Sequence, residues 1–188
     1  MRFPALYLTA LLVSATTSCA DISSSLTYSR IGIFSLSVVG AINTTRMGGA
    51  QVTRTTSGTT QFWQTQAYTG DTGAELGEWD MALIWQGNRR PVAGQAYNVV
   101  WYNDAPSDTT RFGMLLADVR VVNGDGIVKA WRITSGTMLV DSSTSDELKG
   151  RLTFTAVEVT QPSSATISGS ATIDAPCATG HLVTAGSC

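Results

Sequence analysis

Alternation with period two is the feature that most constrains this chain. Phe34, Leu36 and Val38 alternate with Ser35, Ser37 and Val39, and Trp79, Met81, Leu83 and Trp85 share one face of "EWDMALIW". The same phase recurs in Tyr97, Val99 and Trp101, in Leu148, Gly150, Leu152 and Phe154, and in Ile167, Gly169, Ala171 and Ile173. Successive side chains of a strand point to opposite faces, so such runs place one apolar face inward and one polar face outward. After residue 26 no segment carries the 3.6-residue apolar spacing of an amphipathic helix.

Turn signals separate the runs: Ser57-Gly58, Gly70-Asp71-Thr72-Gly73, Gly87-Asn88, Asp104-Ala105-Pro106 and Ser135-Gly136. Asn123-Gly124, between "LLADVRVV" and "IVKAWRI", is the strongest hairpin signal. The spacing predicts about nine or ten mostly antiparallel strands in one all-β domain. "FGMLLADVRVV" and "GIVKAWRI" are apolar on both faces, which predicts central strands with a cover over the second face. A single antiparallel β-sandwich over residues 28–176 is the leading expectation, and a closed barrel is the alternative.

The N-terminus reads as an export signal. Arg2 precedes the uncharged, mostly apolar stretch Phe3 to Ala15, which is too short to span a bilayer as a helix. Ala15-Thr16-Thr17-Ser18-Cys19 resembles the lipobox of bacterial lipoproteins, with Thr16 where that family most often has leucine. The resemblance implies removal of residues 1–18, acyl chains on Cys19, and residues 19–27 as a lipid-attached tether. It also implies a partner, the membrane itself, held through two or three acyl chains where one would not anchor stably. Ala20 after the cysteine, rather than the Asp that favours inner-membrane retention in enterobacterial lipoproteins, points to the cell's outer membrane where one exists. Ser18-Cys19-Ala20 is also an acceptable site for ordinary signal peptidase, which would discard Cys19 and leave a secreted or periplasmic protein.

Two other cysteines, Cys177 and Cys188, close the chain in "PCATGHLVTAGSC". In an oxidising compartment a pair at this separation predicts a disulfide that stops residues 177–188 fraying. His181, the only histidine, lies between them, but two cysteines and one histidine at this spacing do not match a known zinc pattern, so no metal and no cofactor is expected.

The segment "SGTMLVDSSTSDELKGRLTFTAVEVTQPSSATISGSATIDAPC" resembles a pattern in many uncharacterised bacterial lipoproteins, a resemblance that supports the all-β class and implies no activity. Gly77-Glu78-Trp79 resembles the Gly-x-Trp signature of lipocalins, which implies a barrel carrying a small apolar ligand. In lipocalins the signature sits on the first strand, whereas here about three strands precede it.

Chemistry is sparse. A net charge of −2 without a basic patch argues against nucleic acid as a partner. One histidine in a tail and no Gly-x-Ser-x-Gly leave no nucleophile–base pair, so no catalytic residue and no enzyme activity is expected. Glu78 and Asp80 would share one strand face about 7 Å apart, a separation compatible on spacing alone with glycosidase carboxylates, but the pair reads foremost as the wet face opposite Trp79, Met81, Leu83 and Trp85. Of the five tryptophans, Trp79, Trp85 and Trp101 read as core. Trp63, beside Phe62, and Trp131, in phase with Lys129, are candidate ligand-facing aromatics, together with Tyr102 or Tyr68, for a saccharide or an envelope protein. The sequence thus predicts a non-enzymatic, membrane-anchored binding or structural module, with a carrier of an apolar ligand and a hydrolase as alternatives.

Overall fold

The structure is a computed structural model that describes residues 31–57, 60–69, 78–87, 89–104, 110–122, 125–159 and 165–178. The signal segment, the tether, Cys19, His181 and Cys188 lie outside the described residues.

Nine strands follow in order: β1 (Gly32–Gly40), β2 (Thr44–Ser57), β3 (Thr60–Thr69), β4 (Glu78–Gln86), β5 (Ala96–Trp101), β6 (Arg111–Val122), β7 (Asp125–Ser143), β8 (Glu147–Glu158) and β9 (Thr166–Pro176). They form one closed barrel in the order β1-β2-β3-β4-β6-β5-β7-β8-β9, and β6 also pairs with β7. The expected sandwich is therefore corrected to the barrel alternative. What closes it is β1 against β9, with Phe34 opposite Ile173 and Leu36 opposite Ala171. Closure removes both sheet edges, which a sandwich of such long strands would leave open to pairing.

All but one strand pair are antiparallel; β5 runs parallel to the start of β6, with Val99 opposite Phe112 and Trp101 opposite Met114. Past Met114, β6 turns to β7 instead, from Leu116 opposite Trp131 to Val122 opposite Asp125, leaving Asn123-Gly124 as the two-residue connection the sequence predicts. β5 is thus a wedge between β6 and β7 that ends at Trp101. A 3₁₀ turn (Tyr102–Asp104) begins the return to β6, and Asp104 pairs with Arg132 of β7 at 3.2 Å.

The inward faces of the strands are mainly apolar, with Thr65, Thr69, Asp118 and Glu158 the buried polar residues among those described. Phe34, Leu36, Leu83, Met114, Met138 and Ile167 are all within 1% of complete burial. Two inward glycines let large neighbours fit: a Cβ on Gly169 would lie 2.3 Å from the Phe154 ring, and one on Gly150 2.4 Å from Met138 Cε. The outside carries hydroxyls instead. Thr45, Ser37, Ser170, Thr153 and Thr137 stand opposite one another in a row across five strands. Along this row the outside is polar, unlike the lipid-facing band of a membrane-spanning barrel.

One barrel end is plugged by the β4–β5 connection. Gly94 N donates to Val140 O at 2.7 Å, Val140 N to Gln95 O at 2.9 Å, and Trp85 Nε1 to Arg89 O at 2.8 Å. Trp85, Tyr97 and Phe112 pack edge-on or tilted behind it, with centroids 4.8–5.8 Å apart. The chain leaving β9 is fastened as well: Cys177 N donates to Asp146 O, and Ala178 N to Val52 O. Cys177 is disulfide-bonded; its partner lies outside the described residues.

Candidate functional site

A barrel offers two places for a ligand, its lumen and its outer face. Among the described residues the lumen is lined by buried, mainly apolar side chains. Trp79 and Trp131, inward on β4 and β7 either side of β6, stack with centroids 6.3 Å apart and planes 28° apart, and Trp63 and Trp85 line the end beneath Arg90 and Pro91. Between Trp63, Trp85, Arg90 and Pro91 there is room for about 10 Å³, no more than one water. Burial and the neighbouring Arg54 lower the pKa of Arg90 from its ordinary value, with Asp146 acting in the opposite direction.

These positions correct the expectation for the aromatics. Trp63 and Trp131, expected to be ligand-facing, are buried at 6% and 0% exposure. Phe62 takes the outward place in its pair, leaving Trp63 inside, and the Lys129 that shares the inward phase of Trp131 is neutralised by Glu158, 3.2 Å away. Asp118 is also wholly buried here, opposite Lys129 on β7 and Trp79 on β4. Trp131 Nε1 is buried without a hydrogen-bond partner among the described residues. Trp79 and Trp85 are core as expected, whereas Trp101 is only half-buried. Tyr102 is exposed on the 3₁₀ turn.

The outer face carries the better site. A groove of about 520 Å³, open to solvent, runs across β3, β4 and β6 to the end of β5. Small residues, Ala82, Ala117 and Ala130, make its floor; Gln66, Tyr68, Glu78, Asp80, Trp101 and Leu115 stand around it. Each owes its place to strand phase. Glu78 and Asp80 are the outward residues of β4 opposite buried Trp79 and Met81, so the wet-face reading of that strand is right, and the two residues stand one strand repeat, about 7 Å, apart. Tyr68 is the direct cross-strand neighbour of Asp80. It lies beside Gly49 of β2, where a Cβ would come 3.2 Å from the tyrosine oxygen, so the missing side chain leaves space for the ring. Trp101 lines the groove because β5 stops there and β6 changes partner.

Leu115 explains a second correction. β6 and β7 are apolar on both faces as the sequence shows, but among the described residues no second layer lies over their outward face: Leu115 is 36% exposed and Val128 53% exposed. Leu115 and Ala117 of β6 and Ala130 of β7 line the groove.

Glu78 and Asp80 make no side-chain hydrogen bond or ion pair among the described residues, whereas several charged side chains elsewhere on the outside are paired. Arg132, two positions from Ala130 on β7, holds Asp104; Arg151 holds Asp141 with two hydrogen bonds of 3.0 and 3.2 Å; Lys149 bridges Glu147 and Asp174. A second outer depression, of about 430 Å³ along the hydroxyl row, is lined by Ser, Thr, Leu139 and the already paired Arg151. No set of three or more His, Cys, Asp or Glu side chains among the described residues could hold a metal ion. No protein-family model, curated protein or solved structure matches the chain.

Proposed function

We propose that this protein is a non-enzymatic binding module of the cell envelope, exported, tethered through acyl chains on Cys19, and binding its ligand in the outer groove rather than in the lumen. The observation that carries the reading is the groove itself. It combines half-exposed aromatic and aliphatic side chains with two unpaired carboxylates in a concavity sized for a small ligand. A carrier of apolar molecules needs an empty barrel, and the stacked Trp79 and Trp131 occupy the space such a ligand would take. A hydrolase built on Glu78 and Asp80 would need one carboxyl to differ from the other in environment, and both stand on the same wet strand face.

Two measurements test this. Intact mass of the protein from native membranes should show an acylated chain beginning at Cys19, lost in Cys19→Ser; an unmodified chain beginning at Asp21 would remove the anchor. Native mass spectrometry after dialysis against envelope extract should show a small molecule retained by the wild type and not by Leu115→Arg. Retention by both would place the ligand elsewhere, and retention by neither would remove the groove as a site.

A further inference from the structure

Charge is what distinguishes this groove from an ordinary hydrophobic depression. Glu78 and Asp80 stand one strand repeat, about 7 Å, apart on β4 and both line the groove, Asp80 beside Tyr68 with the alanine floor beyond. Neither pairs with a basic side chain among the described residues, and Arg132 of β7, two positions from Ala130, is held by Asp104. Neutral hydroxyls could accept this geometry, but they would leave both charges uncompensated. Ring faces attract cations through their quadrupole, and Tyr68 and Trp101 border the same space.

We propose that the groove binds a small organic cation, an ammonium carried on a short apolar stem, with Glu78 and Asp80 as counter-charges and Tyr68 and Trp101 as the aromatic walls. This rests on the outer groove being the binding site, and it assigns the class of ligand. A volume of about 520 Å³ suits a small molecule. Closure of β1 on β9 leaves no full-length strand edge among the described residues to which an extended peptide could add.

The test uses choline chloride and its uncharged carbon isostere, 3,3-dimethylbutan-1-ol, titrated calorimetrically into the mature protein. The expected result is choline binding at least tenfold tighter than the isostere. The dissociation constant should rise severalfold between 20 mM and 500 mM salt as exposed charges are screened. In the double variant Glu78→Gln, Asp80→Asn, choline affinity should fall at least tenfold with the urea midpoint unchanged, because both side chains are outward and unpaired. Equal binding of choline and the isostere, or unchanged choline binding by the double variant, overturns the cation while leaving the groove standing. So does a neutral molecule, such as a saccharide, recovered from envelope extract by the wild type and lost in Leu115→Arg. Failure of the wild type to retain anything from extract overturns the groove and the cation together.

Discussion

Replacing either of two lumenal tryptophans with phenylalanine removes the same atoms from the same barrel, yet the structure predicts different costs. Trp85 and Trp131 are 2% and 0% exposed. Losing the second ring forfeits roughly 40 Å² of buried apolar surface, about 1 kcal/mol, and the partly unfilled space adds roughly 1 kcal/mol more. Trp85 also donates to Arg89 O at 2.8 Å, and losing that bond adds about 1 kcal/mol, so Trp85→Phe should cost about 3 kcal/mol. Trp131 Nε1 is buried with no partner among the described residues, and deleting a desolvated donor of that kind returns roughly 1–3 kcal/mol. Trp131→Phe should therefore change stability by no more than about 1 kcal/mol in either direction. With a urea dependence of about 2 kcal/mol per molar, the two midpoints should differ by about 1–2 M. Urea titrations followed by far-ultraviolet circular dichroism, with the disulfide intact, measure this directly. Equal destabilisation by the two changes would refute the reasoning, because it would mean that the Trp131 N–H is satisfied in the folded protein.

Gly169→Ala should destabilise by about 1–3 kcal/mol in the same assay, because the new methyl would meet the Phe154 ring, while Ser170→Ala on the outer row should change little. Acrylamide should quench chiefly one tryptophan, the half-buried Trp101, and Trp101→Phe should abolish that fraction; strong quenching that survives the substitution would show that another tryptophan is open. Hydrogen bonds from Lys149 to Glu147 and Asp174 raise its pKa above the ordinary 10.5. The folded value lies above the unfolded one, so this contribution is complete below about pH 10.5 and is lost as pH rises through the folded value. The urea midpoint should accordingly fall less steeply in alkali for Lys149→Met than for the wild type.

The C-terminal hairpin was the most legible part of the chain. Leu148, Leu152 and Phe154, then Ile167, Ala171 and Ile173, announce their inward face by strict alternation, and the two glycines in phase with them mark where Met138 and Phe154 need space. Closure was not legible, because it depends on β1 meeting β9 across the length of the chain, and local alternation is the same in a sandwich and a barrel. The wedge position of β5 is equally non-local: Trp101 shares its phase with buried Val99 but sits where the strand ends. Trp131 was obscured by Lys129 in the same phase, whose side chain stays 37% exposed and pairs with the buried Glu158. The groove did leave a signal. Leu115 and Val128 make β6 and β7 apolar on both faces, which predicted a covering layer; the surface is open instead, and Glu78 and Asp80 join it from β4.

Ligand binding on the outer face rather than in the lumen is tested most directly by nuclear magnetic resonance with ¹⁵N-labelled protein. The five tryptophans give separable indole N–H signals. On titration with choline, the shifts should be confined to the Trp101 indole and to the backbone of Tyr68, Ala82, Leu115 and Ala117, with the Trp79 and Trp131 indoles unmoved. Shifts centred on Trp79 and Trp131, with the groove silent, would place the ligand in the lumen and contradict the account.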